Sequence, residues 1–198
     1  REIWVASAEG ITVAAGQDSR FFDAENTPLE NTRLGGMLAL DDGSIWIAGD
    51  GALYQTDGEE WTAFTAETVQ GENFPFRQIS ALAAAGDGAL WLGSVDGELC
   101  RFDPAAEACS EWHVGEEGMA TGPISSIALD EAGELVFATH GGGFSWRTED
   151  EWQLSRSNDE PLAGNQIRAL GRNAENELWV ATDAGLQRFT ANTGSEGL

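Results

Sequence analysis

Apolar residues in this 198-residue chain come in short runs separated by Gly, Asp and Asn, and one run recurs five times. It reads Glu2-Ile3-Trp4-Val5-Ala6-Ser7, Ser44-Ile45-Trp46-Ile47-Ala48-Gly49, Ala89-Leu90-Trp91-Leu92-Gly93-Ser94, Glu134-Leu135-Val136-Phe137-Ala138-Thr139 and Glu177-Leu178-Trp179-Val180-Ala181-Thr182. The central residues 4, 46, 91, 136 and 179 lie 42, 45, 45 and 43 positions apart. Runs this short, rich in β-branched and aromatic residues and bounded by turn formers, predict strands rather than helices. A period in the low forties built from strands is the signature of a β-propeller, whose blades are four-stranded antiparallel sheets. The predicted class is all-β, with about five blade repeats at approximately 1–30, 31–75, 76–120, 121–163 and 164–198 forming one propeller domain or a fragment of one.

The rest of each repeat follows from the same pattern. Twelve residues before the central position stands an aliphatic residue, Leu34, Ile79, Ile124 or Ile167, which opens an inner strand a. The turns Asp41-Asp42-Gly43, Gly86-Asp87-Gly88 and Glu131-Ala132-Gly133 suit a tight hairpin into strand b, the repeated run. Strand c follows at Leu53, Leu99, Phe144 and Leu186, and strand d carries Phe21-Phe22, Trp61 with Phe64, Trp112 and Trp152. Strand b is apolar and then small instead of alternating, as expected of a sheet covered on both faces. Trp4, Trp46, Trp91 and Trp179 are therefore expected as core between blades, each burying ~150–250 Å². Val136 breaks the pattern, with the adjacent Phe137 expected to make up lost volume. The strands run b-c-d, three complete sets, then a-b-c. This favours a piece of a longer, seven-bladed or larger propeller over a self-contained five-bladed ring, with edge strands that further blades would cover.

Composition narrows the function. The net charge is −24, from 34 acidic residues against ten arginines and no lysine. Phosphate contacts need a basic footprint, so nucleic acid is excluded as a partner, and direct contact with anionic membranes is disfavoured. An acidic surface keeps the protein soluble, and adaptation to high salt is a sharper reading of the same balance. Cys100 and Cys109 flank the turn Asp103-Pro104-Ala105-Ala106-Glu107. A hairpin centred there would set them opposite each other, within disulfide reach, which leans toward an oxidising compartment; the alternative is two small apolar residues in a half-buried sheet. Their spacing fits no zinc motif, and neither metal nor cofactor is expected.

The unit Ile-x-x-Leu, an Asp/Gly turn, then Leu-Trp-Val-Ala-Thr and Gly-Leu resembles the two-component regulator propeller repeat. The copies Ile79 to Phe102 and Ile167 to Phe189 carry it best, with Pro161 to Ile167 resembling the family's lead into strand a. The resemblance implies a bacterial, extracytoplasmic (periplasmic or cell-surface) sensor domain, joined in the full-length chain to further blades or signalling domains such as a membrane helix and kinase. The sialidase Asp-box and the histidine-dependent streptogramin-lyase pattern fit poorly, with only His113 and His140 present.

In a propeller the d–a and b–c loops share the usual binding face. The d–a loops nominate Arg33, Arg77 and Arg168; the b–c loops nominate Glu9, Asp50, Asp96, His140 and Asp183. An arginine there could clamp a carboxylate or phosphate with two parallel hydrogen bonds, the competing role being a surface ion pair. His140 could serve as a general base or be a plain loop histidine. No nucleophile elbow or phosphate-cradling loop is present. The expected function is a non-catalytic sensor or ligand-binding segment that recognises a small extracytoplasmic ligand. The alternative is a protein-interaction scaffold with a protein partner, and after it a lyase or glycosidase.

Overall fold

Each repeated run forms a strand of an antiparallel meander, because Gly and Asp on either side reverse the chain within a few residues. The computed structural model describes residues 2–29, 33–69, 78–130, 133–148, 151–156, 162, 164–173, 175 and 177–189. The first sheet is β1 Ile3–Ala6, β2 Ile11–Ala15 and β3 Asp18–Phe22. The second is β4 Gly36–Ala39, β5 Ile45–Ala48, β6 Ala52–Thr56 and β7 Trp61–Thr65. The third is β8 Ile79–Ala84, β9 Leu90–Ser94, β10 Glu98–Asp103 and β11 Ala108–Val114. The fourth is β12 Ile124–Leu129, β13 Leu135–Thr139, β14 Gly143–Thr148 and β15 Glu151–Ser155, and the fifth is β16 Ile167–Arg172, β17 Leu178–Thr182 and β18 Gly185–Phe189. Every sheet is hydrogen-bonded in chain order, as a propeller blade requires.

The chain divides into two compact units, Arg1–Val114 and Gly115–Leu198. In the first, Ile11 and Val13 of sheet 1 pack with Ile45, Ile47 and Tyr54 of sheet 2. The opposite face of sheet 2, bearing Trp46, Ala48, Leu53 and Phe64, packs with Ile79, Leu90 and Leu92 of sheet 3. Strand β5 is thus buried on both faces, which explains its lack of polar alternation. In the second unit Val136, Ala138 and Phe144 of sheet 4 pack with Ile167, Leu178 and Val180 of sheet 5.

Three sequence expectations are revised. Trp46 and Trp91 are buried, but Trp4, which packs at the margin of the cluster between sheets 1 and 2, and Trp179 are only half-buried. Phe137 does not fill the space beside Val136, since neighbours on a strand face opposite ways; it packs edge-on against Trp152 at 5.2 Å. The missing indole comes from strand c, where Trp146 lies opposite Val136 and joins Phe144 and Phe189 in an aromatic cluster. Cys100 and Cys109 form a disulfide with Cα atoms 5.7 Å apart, but they are not opposite each other. Cys100 faces Trp112 and Cys109 faces Phe102, a register shift making Ser110 the extra residue, so the bridge runs diagonally across the hairpin.

Candidate functional site

Strands β8, β12 and β16 each begin with a register shift, which makes Ser80, Ser125 and Arg168 extra residues on their strands. A bulge kinks the strand locally and re-aims the extra side chain. In sheet 5 the side chain so placed is a guanidinium, and Arg168 is exposed.

The residue before each of these strands receives a bond from the b–c loop of its own sheet. The Val95 N–H donates to the Gln78 carbonyl (3.1 Å), the His140 N–H to Pro123 (2.9 Å) and the Asp183 N–H to Gln166 (3.1 Å). His140 and Asp183 are therefore equivalent, and Asp50 shares their place in the sequence, four residues past the centre of its repeat. Asp96 does not belong with them: Val95 holds that position, and the Asp96 N–H donates instead to Ser94 Oγ at 3.2 Å. The charge of Asp96 acts on its neighbour, adding to burial in pushing the Glu98 carboxyl above its ordinary range against an opposing hydrogen bond from Ser94.

In the second unit the loops of sheets 4 and 5 interlock. His140 pairs with Gln166 in an isolated bridge, and the Gly141 N–H donates to the Asn165 carbonyl at 3.0 Å. Gln166 thus has His140 on one side and Asp183 on the other, with Arg168 two residues further along. Close approach explains the glycines, to backbone at Gly142 and to a side chain at Gly164. A Cβ on Gly142 would lie 2.0 Å from the Thr121 carbonyl oxygen, and one on Gly164 would lie 2.6 Å from Asp183 Oδ1. His140, Asp183 and Arg168 are all exposed above this layer. Among the described residues Arg168 and Arg33 have no ion pair, whereas Arg20 pairs with Glu2, Arg101 with Asp87 and Glu111, and Arg188 with Glu177. A guanidinium without an ion pair, on a protein of charge −24, has the chemistry to hold an anion.

Arg33 and Asp50 lie in the first unit, both exposed, and Arg77 lies outside the described residues. Sequence reasoning missed Gln166 and Arg156. Arg156, just past β15, donates from Nε to the Gly142 carbonyl at 3.3 Å, and its signal was its place at the start of a d–a loop.

Two recesses elsewhere among the described residues suit a ligand poorly. One of about 20 Å³, lined by Phe144, Leu162, Val180 and Phe189 among others, has room for a single water. Another of about 480 Å³ lies at the turns of sheet 2. Its Asp42 accepts from Ser44 N–H and Oγ, and its Asp57 accepts from the Glu59 and Glu60 N–H groups. Those bonds hold both carboxyls below their ordinary range and commit them to the turns.

No family model matches the sequence, and no curated protein matches it significantly. Solved structures do. The extracellular domain of BT4673 from B. thetaiotaomicron, assigned to a hybrid two-component system, superposes with TM-score 0.76 at 18% identity over 97% of this chain and 26% of its own. The corresponding domain of BT3049 from the same organism gives 0.74 at 17% identity over 95% and 27%. The WD40 β-propeller domain of Doa1 gives 0.71 at 12% identity over 97% and 61%. The chain thus spans about a quarter of the length of the two extracellular domains. With its fivefold repeat and its sheets of consecutive antiparallel strands, the chain has the β-propeller fold.

Proposed function

We propose that this chain is a non-catalytic, ligand-binding part of an extracytoplasmic bacterial sensor, and that it recognises a small acidic ligand such as a carboxylate-bearing glycan fragment. The observation that carries this reading is the exposed, unpaired Arg168, re-aimed by a bulge and grouped with His140 and Asp183 around Gln166. The guanidinium holds the ligand's carboxylate, while Asp183 and His140 bond its hydroxyl groups. The Cys100–Cys109 disulfide supports an oxidising compartment. The likeness to extracellular domains of two-component systems supports a place in signalling within a longer chain. Binding would act by biasing the packing of neighbouring domains. Thermal-shift titration with neutral and uronic-acid oligosaccharides tests the proposal. A uronate should stabilise the protein and lose that effect in Arg168→Ala at unchanged ligand-free melting temperature. Stabilisation that survives Arg168→Ala would sink it.

A further inference from the structure

The five b–c loops differ in charge. Those of sheets 1, 2, 3 and 5 each carry a carboxylate, at Glu9, Asp50, Asp96 and Asp183. The loop of sheet 4, His140-Gly141-Gly142, carries none, in a chain with 34 acidic residues. A guanidinium beside that loop meets no carboxylate from it.

The loop offers backbone instead of side chains. Its donors are committed, the Gly142 N–H to Thr139 Oγ1 at 3.1 Å and the Gly141 N–H to the Asn165 carbonyl at 3.0 Å. The Gly142 carbonyl takes Arg156 Nε at 3.3 Å. Gly143 makes room for this approach: a Cβ there would lie 3.1 Å from Arg156 Cγ, and its φ of +90° already favours glycine. The half-buried Arg156 has no ion pair among the described residues, and the Gly142 carbonyl is its one hydrogen-bond partner there. Its terminal nitrogens are left to bond a ligand. Part of its rotamer freedom is already spent on the anchor, so a further bond costs less entropy.

We propose that Arg156 is a second anion-binding group of the candidate site and that the ligand carries two negative groups, one for each guanidinium. This rests on the ligand-binding reading above and names the ligand class more closely. Both arginines belong to the unit Gly115–Leu198 and are tied to the same loop. Arg156 holds its Gly142 end, and Arg168 stands two residues past Gln166, the bridge partner of His140. Backbone bonds therefore set the spacing of their attachment points. A chain of uronates, with a carboxylate on each unit, meets both groups, whereas a single uronate meets one. The second contact is made within an already bound ligand, so it adds affinity at little further cost in freedom.

Calorimetric titration with galacturonate and with its di- and trisaccharide tests the proposal. The wild-type protein should bind the better of the two oligomers about tenfold more tightly than the monomer. Oligomer affinity should also fall more steeply with salt, because two charge pairs are screened instead of one. Arg156→Gln keeps an N–H donor for the Gly142 carbonyl but loses the charge, and should bring the oligomers down to the monomer's affinity. An oligomer preference that survives Arg156→Gln, or a variant that weakens monomer and oligomers equally, would overturn the proposal and leave Arg156 as a support for the loop. Arg168→Ala should abolish binding of all three sugars; binding that survives it would sink the ligand-binding reading itself, as would a wild-type protein that binds none of them.

Discussion

Glu98 and the turn aspartates carry carboxylates shifted in opposite directions, and each direction fixes a sign for stability against pH. Burial first, and Asp96 second, raise the Glu98 carboxyl, with Ser94 opposing. A folded-state value above the unfolded one means that stability is complete below the unfolded value of 4.5 and falls as pH rises through the folded value. Glu98→Gln should therefore raise the melting temperature at pH 7, by no more than roughly 2 °C because solvent screens a partly exposed group. The gain should vanish below pH 4.5 in a pH series of melting curves. Asp42, Asp57 and Asp87 are lowered, chiefly by hydrogen bonds within their turns. Their contribution is present above 3.8 and lost as pH falls through their folded values. Mild acid thus relieves Glu98 before it weakens the turns.

Among the elements, the β10–β11 hairpin has a covalent tie. The Cys100–Cys109 bridge spans a sequence separation of 9. Closing so short a loop restricts the unfolded chain by about 2–3 kcal/mol in the chain-entropy view. Cys100→Ala with Cys109→Ala should lower the melting temperature by roughly 5–10 °C; an unchanged transition would show that the bridge does not form in solution. The hairpin also shows why a sequence places strands better than partners. The Asp-Pro turn and flanking apolar residues mark both strands, but nothing local announces that Ser110 is extra. The shift arises where the twisted hairpin meets the core through Phe102. In sheet 4, likewise, the Val136 substitution is legible. Its remedy, Trp146 on the neighbouring strand, depends on pairing register.

Across the whole molecule, charge dominates. With a formal −24 and only ten arginines, self-repulsion opposes compaction in dilute buffer. Melting temperature should rise by several degrees on going from low salt to about 1 M, where screening is nearly complete. Equal melting at both would show that the acidic surface is well solvated without screening and would remove the high-salt reading.

The repeat, the strand order within each blade and the buried centres of β5 and β9 are settled by sequence, because spacing, turn residues and apolar runs are local properties. The candidate site is legible only in part. Arg168, His140 and Asp183 can be named from their places in the loops, but loop position alone groups Asp96 with them although Val95 holds the equivalent place. What links the His140 and Asp183 loops is tertiary: backbone bonds from two sheets converge on Asn165 and Gln166, with Arg168 on the bulge two residues further along. The same holds for Trp4, Trp179, Ile3, Val5 and Leu186, which follow the common repeat pattern yet differ in exposure from their counterparts. Exposure is decided by what lies against a sheet, and a repeated sequence writes the same face whether or not another sheet covers it.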